Sequence, residues 1–475
     1  MTKYETVIGL EIHASVLTNS KVFSPSKNSF CEIPNSNVNE IDLSFPGILP
    51  SLNKEAVRKA LKMSMVLGCN QPDELLFDRK NYYYPDLPKG YQITQVTKPI
   101  GINGKVDLFV DGQDFTVNID NIHLEEDTAS MDHYDYYSLI DYNRAGTPLI
   151  EIVTEPCISS GEEATAFLEF LANSLKYCGV SDADMKKGHM RCDLNINLKN
   201  ENGEYITPKV EIKGIGSIAN VTEAVNYEVA RQIKALETGC EELVQETRRF
   251  DEDTRSTIRM RVKVDSVDYK YFVEPNIPRI KINDSWLDEI RKEIPVLPND
   301  RLRKYVKEYS FTENEAKSIV KDYDLSNYYE ECVNIGINPR TAFNWLSTNI
   351  IGYLNKEFIS INEFFVTPKR LKEIVDAINS GEISSKQGKE LFNYCLEEND
   401  DPQNLIEKYG LKQMSDNNAL ERIIDNILNS NPNLIEDYRN GKSNLFGFFV
   451  GQVMKETKGE ANPVLIKQIL TEKLK

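Results

Sequence analysis

The chain predicts an α+β fold, with a large, mainly antiparallel sheet domain first and helices alone after it. Three observations carry this. Short runs of alternating apolar and polar residues recur through roughly the first 290 positions. Two helical patterns interrupt them, and past a proline-punctuated stretch the strand pattern stops.

The first run, "VIGLEIHASV", sets the rule. Ile8, Leu10, Ile12, Ala14 and Val16 share one strand face, while Gly9, Glu11, His13 and Ser15 share the other. "GKVDLFVDG", "FTVNIDNIHLEED", "TPLIEIV", "RCDLNINLKN", "PKVEIKGI" and "STIRMRVKV" read the same way. The helical patterns are "NKEAVRKALKMSMVLGC" and "GEEATAFLEFLANSLKYCG", closed by glycine stops. Pro275, Pro278, Pro295 and Pro298 then punctuate the chain, which places the end of the sheet domain (1–293) there. Residues 294–405 read as short helices, and 406–475 as a separate helical tail. In that tail Ser415 caps a stripe of Leu420, Ile423, Ile424, Ile427 and Leu428, and Asn462–Pro463 opens the last helix.

At 475 residues the chain exceeds a single core. No stretch reaches the roughly 18 apolar residues of a membrane span, and the opening residues lack the order of a signal peptide, so a cytoplasmic protein is expected. Eight scattered cysteines without a CxxC pair read as small buried hydrophobes. A net charge of −18 excludes indiscriminate coating of nucleic acid. The tail, however, holds ten Lys+Arg against nine Asp+Glu, leaving −19 for the first 405 residues.

Only four histidines occur, and two sit two residues from a glutamate on strand-like runs: Glu11 with His13, and His123 with Glu125. Glu151 stands between Ile150 and Ile152, which implies an exposed edge or a cationic partner. Each feature alone reads as a solvated strand face. Together they fit a divalent-metal site of several hard oxygens and at most one imidazole, all on strands, favouring Mg²⁺ or Mn²⁺ over zinc. No P-loop, kinase glycine loop, nucleophile elbow or HExxH is present, so covalent cleavage of amides or esters is not expected.

"ETVIGLEIHASVLTNSKVFS", "FDRKNYYYPDLPKGYQITQ", "HLEEDTAS", "DYNRAGTPLIEIVTEP", "RCDLNIN", "QETRRFDE" and "DYKYFVEP" follow one another in this order. The series resembles the GatB-type subunits of the tRNA-dependent Asp/Glu amidotransferases, and the ending "FFVGQVMKETKGEANP" is similar to that family's tail. The resemblance implies a cradle-shaped catalytic domain. It also implies ATP-dependent phosphorylation of a glutamate or aspartate wrongly attached to tRNA(Gln) or tRNA(Asn), followed by amidation with ammonia. That ammonia would come from an amidase (glutaminase) partner, with a small third polypeptide completing a heterotrimer.

By the same resemblance Glu11, His13, Glu125 and Glu151 form the metal cluster, with Glu126 on the opposite strand face. Arg79 and Lys80 would meet phosphate oxygens and Tyr82 would offer a ring to ATP or the tRNA end. By alternation, which sets Tyr82 and Tyr84 together and Tyr83 opposite, at least one of the three would be core. Lys213 and Arg144 would line the site, while Arg248 and Arg249 would be structural. Zinc is not expected, because only Cys31 stands where some members carry a cysteine-pair site. "KGIGS" at 213–217 replaces the family's "KNLNS", and "YFVEP" its "YFPEP". Two other readings of the residues stay open: a metal-dependent ligase for a small acid, and a non-catalytic tRNA-binding scaffold.

Overall fold

Strand β1 (Glu5–Ser15) obeys its own alternation: Ile8, Leu10, Ile12 and Ala14 are buried, while Glu11 and His13 stay partly open. The computed structural model describes residues 3–110, 112–262, 268–412, 417–439, 442–457 and 461–474. After helix α1 (Lys54–Val66) come β2 (Glu74–Leu75), β3 (Asp78–Asn81), β4 (Tyr91–Thr94) and a long hairpin of β5 (Gly101–Val110) and β6 (Gln113–Glu126). A short hairpin, β7 (Ser130–His133) and β8 (Ser138–Asp141), leads to β9 (Pro148–Thr154). Helix α2 (Gly161–Tyr177) precedes β10 (Met190–Lys199) and β11 (Val210–Lys213). Helix α3 (Ala219–Thr238) precedes β12 (Glu246–Asp251), β13 (Ser256–Val262), β14 (Phe272–Val273) and β15 (Ile280–Lys281).

Eight strands form one sheet in the order β13-β12-β11-β10-β1-β9-β6-β5. Its pairs are antiparallel except β11 with β12, which the crossover through α3 makes parallel. One face is buried beneath helices: Ile8, Ile12, Ile152 and Leu194 join Leu61, Phe167, Leu171 and Val225 in a single core. Ser160 caps α2 by accepting from the Glu163 amide at 3.1 Å. Next to it, Gly161 lets α2 and α3 meet at backbone contact, since a Cβ there would stand 2.7 Å from Thr222 Cα. The other face of the central strands is left for polar side chains.

The sheet-bearing unit runs Met1–Tyr323, past the boundary at 293 that the prolines suggest. The reason lies in helices α4 (Asp284–Lys292), α5 (Pro298–Tyr309) and α6 (Glu313–Val320), which follow the prolines within this unit. The Asn299 side chain accepts from Phe109 N at 3.2 Å and donates to Asp107 O at 2.8 Å, and Tyr177 Oη donates to Val320 O at 2.8 Å.

The second unit, Asp324–Lys475, is helical throughout its regular elements. Within it Leu420, Ile424, Phe449, Val453, Ile466 and Leu470 gather a core of their own. Asn462 caps the last helix by accepting from Val464 N at 2.9 Å, as its sequence implies. Ser415 lies outside the described residues. No helix among the described residues is long and apolar enough to cross a membrane.

Candidate active site

Strand register assembles the site. His13 pairs across the sheet with Arg191 on β10 and Glu151 on β9, and Glu151 pairs with His123 on β6. Four strands therefore set Arg191, His13, Glu151 and His123 side by side on the face opposite the core. Glu11 pairs with Asp193 one pleat away. Glu151 is thus an interior-strand residue with imidazole partners on both sides, not an edge residue. Its Oε2 stands 3.2 Å from Nε2 of His13 and 3.2 Å from Nε2 of His123. Glu125 approaches the same two nitrogens at 3.8 and 3.9 Å.

Two overlapping groups result, Glu11–His13–Glu151 and His123–Glu125–Glu151, with ligand atoms within 4.8 Å of one another in each. Their protonation shows what the cluster lacks. Burial, then the Glu151 charge, push Glu11 and Glu125 above the usual carboxylate range. Burial opposes ionisation of Glu151 too, but hydrogen bonds with His123 and His13 win and hold its carboxyl far below that range. Burial disfavours charge on His13, yet Glu151, Glu125 and Glu11 outweigh it and push it up to about 9; His123 is raised against burial by Glu151 and Glu125. The carboxyls of Glu11 and Glu125 and both imidazoles thus hold protons more tightly than free groups do, the mark of a site short of positive charge. A divalent cation would replace those protons, and the donor set fits one with oxygen preference. His123 is pre-oriented for it: Nδ1 lies 2.8 Å from Asn121 Oδ1, which leaves Nε2 facing Glu151.

The cluster opens into a cleft of about 470 Å³ whose walls add Lys80, Lys213 and Asp127. Lys80 comes from the three-stranded sheet β14-β3-β4. That sheet is stitched to β6 by Gln92 Nε2 donating to Glu126 O at 2.7 Å and by Leu124 N donating to Gln95 Oε1 at 2.9 Å. Burial lowers the Lys80 pKa, but neighbours led by Glu125 more than reverse it, so Lys80 stays charged. Lys213 is likewise raised against burial by Asp193, to which it donates, and by Glu211 at 3.3 Å.

The remaining expected residues are placed elsewhere. Arg79 does not line the cleft: Glu274, fully buried, clamps its guanidinium at 2.5 and 3.2 Å, with the Tyr91 ring 4.1 Å away. The pairing of β14 with β3 brings this partner from far along the chain. Arg144 does not line it either. Its guanidinium donates to the carbonyls of Thr128 and Ala129 at 2.9 and 3.0 Å and stands 3.5 Å from Asp127, stapling the loop that bears Asp127. Tyr82 packs edge-on against Tyr269, with centroids 6.1 Å apart. None of the three tyrosines is core, and Tyr83 is 97% exposed. Strand β3 ends at Asn81, so alternation does not extend to them. Glu126 faces away as expected and accepts from Lys89 and from Ile93 N. Arg248 is buried in ion pairs, whereas Arg249 is exposed on the site face. His123 joins His13 at Glu151, so the cluster holds two imidazoles where the sequence suggests at most one, and Asp193 and Asp127, which nothing local marks, line the cleft. The "RCD" and "HLEED" runs carry them, but only strand register brings them together.

Two family models cover most of the chain: the GatB/GatE catalytic domain at residues 6–288 and the GatB domain at 327–474. The chain is 45% identical over 472 residues to the B subunit of the aspartyl/glutamyl-tRNA(Asn/Gln) amidotransferase of Oceanobacillus iheyensis, covering 99% of both. It is also 45% identical to the protein of that description from Persephonella marina, over 474 residues and 100% of both.

Proposed function

This chain belongs to the GatB/GatE family, and from that premise we propose that it is the amidating component of a tRNA-dependent amidotransferase. It converts glutamate or aspartate wrongly esterified to tRNA(Gln) or tRNA(Asn) into the amide, with hydrolysis of ATP. The observation that carries the site assignment is the aligned row of His13, Glu151 and His123, of which His13 and Glu151 line a cleft with Lys80 and Lys213.

The chemistry suits these groups. The substrate carboxylate is already ionised at neutral pH, so its attack on the γ-phosphorus of ATP, with ADP leaving, needs no strong base. Ammonia then adds to the acyl carbon and phosphate departs. The obstacle is repulsion between two anions. Mg²⁺ or Mn²⁺ held by Glu11, His13, Glu125 and Glu151, with His123 added, would supply neutralisation there. Lys80 and Lys213, kept charged by their carboxylate neighbours, bind and orient the anionic groups of the two substrates. Lacking an amidase signature, the chain draws its ammonia from a separate glutaminase polypeptide, with a small third polypeptide completing a cytoplasmic heterotrimer.

The test supplies the assembly with Glu-tRNA(Gln), Mg²⁺, ammonium chloride and γ-labelled ATP, which bypasses the glutaminase. Label release that requires the misacylated tRNA and yields Gln-tRNA is the expected result. Release without tRNA would point to a ligase for a small acid, and no turnover by a folded, tRNA-binding assembly would point to a scaffold.

A further inference from the structure

The site face continues beyond Lys213. Arg249 on β12 lies beside Lys213 in register, and Ile258 on the edge strand β13 lies beside Arg249. Arg261 pairs with Thr247 one pleat along. Adjacent strands are about 4.8 Å apart, so these cations step outward from the cleft to the open edge of the sheet. The Arg249 side chain is 53% exposed, with Asp251 at 3.5 Å as its ion-pair contact. Arg248, by contrast, turns to the other face and is consumed by Glu246 at 2.8 Å and Glu228 at 3.7 Å.

Gly214, in the cleft wall, lies beside Arg249. A Cβ built at Gly214 would reach Arg249 Cβ at 4.0 Å, and its φ of +74° suits glycine. Ile258 and Met260, both exposed, interleave apolar surface with the cations.

We propose that Lys213, Arg249 and Arg261 form a phosphate-binding lane that leads the aminoacylated 3′ end of the RNA substrate into the cleft. This rests on the tRNA-dependent reading above. The ligand chemistry is phosphate oxyanions, met by guanidinium and ammonium donors. The triphosphate of ATP offers the same chemistry. A lane that runs to an open sheet edge suits a polymer with one end in the cleft and the rest outside. A compact triphosphate needs only the inner groups. Cations on an edge strand also discourage edge-to-edge pairing, a role that would leave RNA affinity untouched.

The experiment uses the assembled amidotransferase with Arg249→Ala, Arg249→Lys and Arg261→Ala. Equilibrium binding of unacylated tRNA is measured across salt concentrations, and the KM for ATP alongside. Arg249→Ala is expected to weaken tRNA binding about fivefold and to lower the slope of log K against log salt by about one. Arg261→Ala should act in the same sense, and Arg249→Lys should restore most of the slope. KM for ATP should stay within about twofold of the wild type's. A raised KM for ATP with unmoved tRNA binding would assign the lane to the triphosphate. Movement in neither would reduce it to edge protection, and each of those results overturns the proposal. Binding is read without turnover. A wild type that binds tRNA through the lane but does not amidate it would sink the functional reading alone.

Discussion

The sheet carries an ionic cluster on each face, and the two are built in opposite ways. Toward α3, Arg231, Arg248 and Arg259 meet Glu228, Glu241 and Glu246, for example at 2.7, 2.8 and 3.1 Å. Three permanent cations match three carboxylates, and despite burial Glu241 is held below the usual range by Arg231. On the site face, Glu11, Glu125 and Glu151 meet two imidazoles, and although Lys213 and Lys80 act on Glu11 and Glu125, both of those carboxyls are still pushed upward by burial and by Glu151. A chain that balances one cluster and leaves the other short of charge uses the first for stability and keeps the second for an incoming cation.

Substitutions on the two faces should have opposite consequences. Glu246→Gln should give the largest stability change, about 3–5 kcal/mol in denaturant unfolding of the assembly's sheet unit, because Arg248 and Arg259 lose a buried partner. Activity per folded molecule should persist. Glu151→Gln should instead be read in activity, cutting amidation at least about a hundredfold while tRNA affinity is kept. If both variants lost stability alone, the two faces would be alike and the comparison would fail.

Arg79→Ala comes next. Stranding buried Glu274 should cost roughly 2–3 kcal/mol, with ATP affinity unmoved; an ATP effect in initial-rate kinetics would return Arg79 to the site.

The pH response has a definite sign. His13, raised to about 9, stabilises the metal-free fold fully below its unfolded value near 6.5 and loses that contribution as pH rises through about 9. Glu151 runs the other way, its contribution present above its unfolded value of 4.5 and lost as pH falls. In chelator, Tm should therefore drop between pH 6.5 and 9, and His13→Asn should flatten the drop. The smallest effect belongs to Tyr83→Ala, expected within about 0.5 kcal/mol of wild-type stability because the ring is solvated.

Much of this was legible in the sequence, for a local reason. Period-2 alternation alone puts Glu11 and His13 opposite Ile8, Leu10 and Ile12, and β1 bears that out. What alternation cannot supply is the neighbour. That His123 stands against Glu151 follows from the β6–β9 register, and that Arg79 belongs to Glu274 follows from a strand pair joined across most of the sheet domain. The same limit explains the tyrosines, since β3 stops at Asn81 and period 2 says nothing beyond a strand's end. It holds past residue 293 too: prolines mark the end of the strands, but only contacts such as those of Asn299 and Tyr177 show what the following helices pack against.

The most direct measurement is calorimetric titration of Mn²⁺ into the metal-free assembly at pH 7, in two buffers of different ionisation enthalpy, for the wild type and Glu151→Gln. Binding accompanied by release of about one proton, and lost in the variant, is the predicted result. Binding that releases no proton and survives Glu151→Gln would place the cation elsewhere and contradict the assignment of this cluster.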